Sequence, residues 1–168
     1  MAKIKFREAN FDDLALLRHW DDQPHVKAAI GEDDDDWEWE EELKRSPEWR
    51  EFLIAELDSR PIGFMQINDP LLEDCHYWGD VEPNLRALDI WIGEADALGK
   101  GYGSQMMQLA FQRCFVDEAV TAIVIDPLKS NTRAHRFYER LGFEFVEERC
   151  FDTEMCSVYQ LRREVWQG

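Results

Sequence analysis

A strand, a glycine-rich loop and a helix follow one another between Asp89 and Phe115, and this stretch constrains the fold more than any other part of the chain. The loop carries Gly99, Gly101 and Gly103. Alternating glycines remove the side chains that would hold a ligand away from the backbone amides, and they permit positive φ angles. Because the first amides of a helix have no partner within it, the pattern predicts a phosphate-binding loop. A tight turn without a ligand would also fit.

The helix that follows the loop is amphipathic. Apolar residues recur at positions i, i+3, i+4, i+7 and i+8, whereas glutamines occupy the other side. The apolar set is Met107, Ala110, Phe111, Cys114 and Phe115. We therefore expect one face of this helix to be buried.

Two common phosphate loops do not match this stretch. A P-loop has four residues between its first glycine and the Gly-Lys-Ser/Thr, but here five residues separate Gly93 from Gly99, and Gly101 replaces the magnesium-binding hydroxyl. A dinucleotide fingerprint requires a third glycine three positions after Gly103, where this chain has Met106. Both motifs are excluded.

The composition predicts one domain over residues 1–168 and bounds its partners. The net charge of −17 comes from 36 acidic residues against 19 Lys and Arg. Such a charge repels nucleic acid and anionic membranes and suits a polycationic small molecule, although it also serves solubility alone. No apolar run could span a bilayer and no apolar leader follows the N-terminus, so we expect a cytoplasmic protein. The cysteines and histidines lack zinc-ligand spacings, so we expect no metal and reduced, packed thiols.

Hydrophobic periodicity predicts the element order β-α-α-β-β-β-α-β-α-β-β. Asn10 and Asp13 predict a capping box before the first helix, which carries Leu14, Leu17 and Trp20. The predicted strands cover residues 4–8, 52–57, 62–67, 88–93, 120–125, 143–147 and 157–161, and the later helices cover residues 104–115 and 130–141. The run at 120–125 is continuously apolar, which is typical of a strand that is buried on both faces of a sheet. Pro24 is expected to interrupt the chain after the first helix.

An acidic run at residues 32–42 contains Trp37 and Trp39. Its carboxylates suit the first turn of a second helix that ends near Pro47, and the run is then a solvated helix face. The alternative is an acidic flap beside a cationic ligand, with the two indoles packed on it. The sequence leaves both interpretations open.

The element order and two motifs resemble the GCN5-related N-acetyltransferase (GNAT) family over nearly the whole chain. Leu98-Gly-Lys-Gly-Tyr-Gly103 opens the third helix, and Asn131-x-x-Ala134-x-x-Phe137-Tyr-Glu-Arg-x-Gly-Phe143 covers the fourth. The family's loop pattern is Arg/Gln-x-x-Gly-x-Gly/Ala, from which Leu98 departs. Within the family the chain is most similar to the aminoglycoside 6'-N-acetyltransferases. That similarity rests on Trp78, Arg86-Ala-Leu-Asp89, Thr121, Ile123, Asp126-Pro127 and Asn131-x-Arg-Ala134.

The resemblance implies an α/β (α+β) GNAT fold, with a mixed, mostly antiparallel sheet of about seven strands, about four helices, and a splay between the fourth and fifth strands. It also implies a site for the cosubstrate acetyl-CoA. The implied contacts of coenzyme A are Leu98, Gly99, Lys100, Gly101, Tyr102 and Gly103 for the diphosphate, and Ile90, Trp91, Ile92 and Asn131 for the pantetheine arm. The thioester carbonyl would meet a backbone N–H near Ile92.

The resemblance also assigns the chemistry. Asp89 would position the acceptor amine and take its proton, directly or through water, and Asp126 would bind a second ammonium, although Asp126 equally suits a turn before Pro127. Tyr138 occupies the family position of the general acid that protonates the departing thiolate, although it also suits the core face of its helix. Trp78 and Trp37 complete the expected substrate-binding residues.

The implied function is transfer of acetyl from acetyl-CoA to a primary amine, by direct attack through a tetrahedral intermediate and without a metal. The first candidate acceptor is the 6'-amine of an aminoglycoside antibiotic. Alternatives are another amine (a polyamine, a siderophore hydroxylamine or a protein N-terminus) and a non-catalytic acyl-CoA sensor. The expected partner is a cationic small molecule rather than nucleic acid or membrane. The sequence carries no signal for the oligomeric state.

Overall fold

The computed structural model describes residues 3–30 and 38–167, which form seven strands and six α-helices. The strands are β1 (Ile4–Glu8), β2 (Arg50–Leu57), β3 (Arg60–Asn68), β4 (Leu85–Ile92), β5 (Ala122–Ile125), β6 (Glu144–Phe151) and β7 (Glu154–Arg162). The helices are α1 (Leu14–Asp21), α2 (Pro24–Ile30), α3 (Trp39–Lys44), α4 (Tyr102–Phe115), α5 (Thr132–Arg140) and α6 (Arg163–Gln167).

The strands form one mixed sheet in the order β1-β2-β3-β4-β5-β7-β6. The pairs β1–β2, β5–β7 and β6–β7 are antiparallel, whereas β4 and β5 are parallel. The parallel register covers three residue pairs, Leu85–Ala87 with Ala122–Val124, and β4 then continues to Ile92. The predicted fold class is confirmed. Because β4 and β5 pair over only three residues, their register is compatible with the expected splay between the fourth and fifth strands.

Internal contacts divide the chain into two compact units. The first comprises the residues up to Gln66 together with Asp89–Met107, and the second comprises Ile67–Leu88 together with the residues from Gln108 onward. The divisions fall within β3, β4 and α4, so each unit is assembled from segments that are distant in sequence. The single domain over residues 1–168 stays a prediction.

The core of the first unit is aromatic. Trp39 lies edge-on to Phe52 and Phe64, with ring centroids 5.6 and 5.2 Å apart. The capping box is confirmed, because the Asn10 amide donates to the Asp13 carboxylate at 2.8 Å and the Asn10 side chain accepts from Asp12 at 2.9 Å. The buried members of this core are Leu17, Trp20, Trp39, Ile54 and Phe64.

The core of the second unit lies around β5, whose four residues are all buried. This confirms the prediction that its continuous apolar run is covered on both faces. The apolar face predicted for α4 is also buried over its whole length. One buried cluster of this unit consists of Trp78, Leu85, Ala87, Ala122, Val124, Phe151, Cys156 and Val158.

The structure adds two short helices, α2 and α6, to the predicted elements. Pro24, interpreted from the sequence as an interruption, begins α2, because proline has a φ angle suited to the first helical position and needs no amide partner there.

The flap hypothesis is wrong for Trp39, because this residue is 4% exposed and its indole donates to Asp21 inside the first unit. Trp37 lies outside the described residues.

The four cysteines are free thiols, but they are not all packed. Cys114 and Cys156 are buried, whereas Cys75 and Cys150 are exposed, which corrects the prediction for those two. Cys75 lies in the irregular segment after β3, and Cys150 lies near the end of β6.

No cluster of potential metal ligands occurs within residues 3–30 and 38–167. No helix in the same described part of the chain is long and apolar enough to cross a membrane.

Candidate active site

The glycine loop of the first unit leads directly into α4. Gly99 and Gly101 have φ angles of +71° and +82°, a region that residues with a side chain rarely adopt. A Cβ atom built on either glycine would meet no atom within 4 Å, so both face open space. The carbonyl of Gly101 accepts the amide of Gln105 at 3.3 Å, which starts the helical ladder of α4.

These features test whether the loop could hold the diphosphate of coenzyme A. The open space above Gly99 and Gly101 lets an anion approach the backbone, and the first amides of α4 lack partners within the helix. The exposed side chain of Lys100 adds a positive charge to the loop. Leu98 is 42% exposed and contributes no charge, so binding there would rest on the backbone. The residues of the loop fit a diphosphate.

A network of polar side chains fixes the segment that leads into the loop. The Trp20 indole donates to Glu94 at 2.8 Å, and Arg60 donates to Glu94 at 3.2 Å and to Asp96 at 3.0 Å. Trp20 packs so closely on Gly93 that a Cβ there would lie 2.1 Å from the indole ring. No sequence pattern indicates this network, because its members come from α1, β3 and the segment after β4 and have no common spacing.

The end of β4 presents its backbone in two directions. The amide of Gly93 donates to the Ile62 carbonyl of β3 at 2.8 Å. In a strand, the N–H and C=O of one residue point to the same side, and neighbouring residues alternate. The amide and carbonyl of Ile92 therefore point away from β3. This orientation suits the predicted contact of the Ile92 amide with a thioester carbonyl.

His25 of α2 lies on that same side of β4. Its Nε2 is 2.8 Å from the Ile92 carbonyl oxygen. A carbonyl oxygen only accepts hydrogen bonds, so Nε2 carries the proton and donates. No sequence pattern indicates this contact of His25, because an isolated histidine after a proline has no spacing typical of a functional site.

Trp91 contributes to the first unit mainly as a core residue. Its ring stacks on Phe64, with centroids 4.5 Å apart and an interplanar angle of 26°, and lies 6.3 Å from Trp39. Its indole nitrogen is buried and has no hydrogen-bond partner among the described residues. A cofactor contact at Trp91 would therefore come from the backbone. Ile90 is half-buried and Asp89 is exposed on the same strand.

The second unit places Asp126 beside an aromatic group. Tyr77 donates its hydroxyl to Asp126 Oδ2 at 2.5 Å, and its ring stacks on Phe151 with centroids 4.6 Å apart. Trp78, an expected substrate-binding residue, is 5% exposed and lies edge-on to Phe151 at 5.2 Å. Burial, and after it the charge of Asp126, raises the pKa of Cys156 to about 12. Tyr77 lies next to Trp78 in the sequence, but no spacing there indicates its contact with Asp126.

The start of α5 holds Asn131, whose side-chain oxygen accepts the Ala134 amide at 3.2 Å and so caps the helix. Further along α5, the half-buried Tyr138 lies edge-on to Phe143 with centroids 5.6 Å apart. Burial and a bond from its hydroxyl to Glu139 raise the pKa of another tyrosine, Tyr159, to about 12. Tyr138 is only half-buried, so part of its side chain stays accessible, as its predicted role as a general acid requires.

Comparison with known families gives a match over most of the chain. The model of the acetyltransferase (GNAT) domain matches residues 10–151. Among solved structures, the aminoglycoside acetyltransferase AAC(6')-Ib in complex with coenzyme A and kanamycin is 27% identical, with a TM-score of 0.85 over 98% of this chain and 98% of that chain.

Two curated relatives match different shares of the chain. An aminoglycoside N(6')-acetyltransferase type 1 of Klebsiella pneumoniae is 38% identical over 92 residues, which are 54% of this chain and 46% of that protein. The chain therefore spans about half the length of this relative. A lysine N-acyltransferase of Mycobacterium tuberculosis is 24% identical over 168 residues, which are 92% of this chain and 75% of that protein.

Proposed function

The chain belongs to the GNAT acetyltransferase family, and on that premise we propose that it transfers acetyl from acetyl-CoA to a primary amine of a cationic small molecule. The first candidate acceptor is the 6'-amine of an aminoglycoside. The relative of 27% identity that was solved with coenzyme A and kanamycin supports this choice. An aminoglycoside carries several ammonium groups, which suits a chain with a net charge of −17.

The observation that carries the proposal is the geometry of the glycine loop. Gly99 and Gly101 turn a bare, left-handed backbone toward open space immediately before α4. Such a loop suits a diphosphate, because the helix start supplies both amide donors and the positive end of the dipole. Coenzyme A carries a diphosphate, and the open space beside Gly99 and Gly101 leaves the backbone accessible to it.

Each step of the proposed reaction is assigned to particular residues of the chain. Acetyl-CoA supplies an acetyl thioester whose carbonyl carbon the amine attacks, so that a C–N bond forms and the C–S bond breaks. The acceptor arrives as an ammonium, since a primary amine has a pKa of about 10.4, and Asp89 takes its proton directly or through water. The Ile92 amide donates to the carbonyl oxygen as negative charge develops.

The leaving group and the rest of the acceptor need two further residues. Tyr138 gives its phenolic proton to the departing thiolate, which has a reference pKa of about 8.5 and so accepts it at small cost. Asp126 pairs with a second ammonium of the acceptor. Asn131 donates its side-chain amide to the pantetheine, while its oxygen caps α5.

A second candidate is acyl transfer to another amine, such as the side chain of a lysine. The match to a lysine N-acyltransferase favours it, because that match covers 92% of this chain. Both candidates use the same donor loop and the same proton transfers. They differ only in the acceptor.

The deciding experiment follows thiol release from acetyl-CoA with kanamycin, spermidine, N6-hydroxylysine and lysine-rich peptides in parallel. We expect turnover with kanamycin, and the acetylated position can be read by NMR of the product. Turnover with another amine alone would replace the acceptor and keep the reaction. Acetyl-CoA binding without turnover of any amine would indicate a sensor instead.

A further inference from the structure

Tyr77 and Asp126 form a hydrogen-bonded pair within the second unit that no motif in the sequence indicates. The Tyr77 hydroxyl donates to Asp126 Oδ2 at 2.5 Å across 49 positions of sequence. Tyr77 is 41% exposed, and Asp126 is half-buried directly after β5. A hydrogen bond to an ionised carboxylate is short and about twice as strong as one between neutral groups.

The ring of Tyr77 is fixed independently of this bond. It stacks on Phe151 with an interplanar angle of 10°, and it lies edge-on to Trp78 at 6.1 Å. Phe151 and Trp78 are 6% and 5% exposed, so the ring rests on the core of its unit. Arg149 of β6 holds the loop in place by donating to the Trp78 carbonyl at 2.9 Å. The position of the hydroxyl oxygen is therefore determined by buried packing.

We propose that Tyr77 is a positioning residue that orients the Asp126 carboxylate toward a second ammonium of the acceptor. The proposal rests on the proposed function, in which Asp126 binds that ammonium. A carboxylate has about four lone-pair directions, so accepting the Tyr77 hydroxyl is compatible with accepting an ammonium as well. A phenol is neutral at pH 7, so it fixes the carboxylate without cancelling the charge that attracts the ammonium.

The consequence is selectivity for acceptors with more than one amine. The amine that attacks the thioester is served by Asp89, whereas Tyr77 acts only on the ammonium held by Asp126. Loss of the hydroxyl therefore affects an acceptor with a second amine more than one without it.

The test compares two acceptors that present the same attacking group. Kanamycin carries its 6'-amine on a 6-amino-6-deoxyglucose ring together with further amines, and free 6-amino-6-deoxyglucose carries that amine alone. We expect Tyr77→Phe, which keeps the stacked ring, to lower kcat/KM for kanamycin about fivefold more than for the monoamine, mainly through KM. The matched control is Tyr159→Phe, which removes a hydroxyl that donates to Glu139 instead. This control is expected to affect the two acceptors alike.

A double-mutant cycle with Asp126→Asn shows whether the effect passes through Asp126. In that background Tyr77→Phe is expected to cause no further loss with kanamycin. An unchanged acceptor ratio in Tyr77→Phe, or fully additive losses, would overturn the proposal. If the parent enzyme released thiol with the monoamine but not with kanamycin, the proposal for Tyr77 would also be overturned, while the proposed acyl transfer would stand.

Failure of the proposed function is recognised separately. If neither acceptor released thiol, acetyl transfer to these amines would be rejected. Calorimetric titration with kanamycin alone would then decide the positioning role without any turnover. Binding that weakens in Tyr77→Phe and not in Tyr159→Phe would support the role of Tyr77, and absent binding or equal affinities would overturn it.

Discussion

The imidazole Nε2 of His25 donates to the carbonyl oxygen of Ile92 at 2.8 Å, and so ties α2 to the end of β4. The amide of Ile92 points to the same side of the strand as this carbonyl. A side chain from a short helix thus anchors the carbonyl of the same residue, Ile92, whose amide we propose as the donor to the thioester oxygen. Donors of this kind act only when they are fixed before charge develops.

We expect His25→Ala to lower kcat about fivefold, because the hydrogen bond that fixes the Ile92 carbonyl, and with it the end of β4, is lost. The affinity for coenzyme A, which has no thioester carbonyl, should change little. Steady-state kinetics and calorimetry measure the two quantities. His25→Gln, which retains a donor, should recover part of the rate, and His19→Ala on the exposed side of α1 serves as the control. A normal kcat in His25→Ala would limit His25 to packing.

From the geometry of the glycine loop we expect Gly101→Ala to weaken the binding of coenzyme A. The new Cβ would enter the open space that we assign to the diphosphate, at a φ angle of +82°. We expect the Kd for coenzyme A to rise more than tenfold, in addition to a backbone strain of about 1–2 kcal/mol. Gly142→Ala is the matched control, because Gly142 also has a positive φ angle, +104°. Equal Kd changes in both variants would indicate strain alone.

Removal of the Tyr138 hydroxyl tests the general acid. We expect Tyr138→Phe to lower kcat about 100-fold while the Kd for acetyl-CoA stays close to that of the parent, since proton transfer typically contributes such a factor. Tyr159→Phe removes a hydroxyl from the same unit and should lower stability without a comparable fall in kcat. Equal kcat values for Tyr138→Phe and the parent would return Tyr138 to a packing role.

The ion pair between Arg7 and Asp13 predicts a pH dependence of stability. Burial by itself raises the pKa of Asp13, but bonds from Arg7 at 2.8 Å and from the Asn10 amide outweigh it and hold the pKa below its usual value. Because the folded-state pKa is the lower one, the contribution is present above the unfolded-state pKa of about 3.9 and is lost as pH falls through the folded-state pKa.

Asp13→Asn should therefore lower the free energy of unfolding by about 1–2 kcal/mol at pH 7, a value reduced by the partial exposure of Arg7. The difference from the parent should shrink as the pH is lowered below about 4. Urea unfolding at several pH values measures it. Asp12→Asn, which changes the exposed neighbour, should show no such trend. A difference that is constant with pH would contradict the assignment.

Much of the fold was predictable because local signals agree with the final structure. The period of the apolar residues in α4 marked its buried face, and the apolar run before Asp126 marked a strand covered on both sides. Asn10 and Asp13 marked the first cap. Helix α2 was missed, since a proline is compatible with both a break and a helix start. Trp39 was open to two interpretations, because burial of a single indole depends on neighbours from β2 and β3.

The sequence by itself determined the glycine loop, the order of the elements and the family, because each depends on residues that are close together along the chain. The tertiary structure decided which side chains accompany the candidate residues. Tyr77 meets Asp126, His25 meets Ile92, and Trp20 with Arg60 meets Glu94, each across a long separation in sequence. The reason is physical: a hydrogen bond requires its two atoms to lie within about 3 Å of each other, and only packing of the chain fixes that distance.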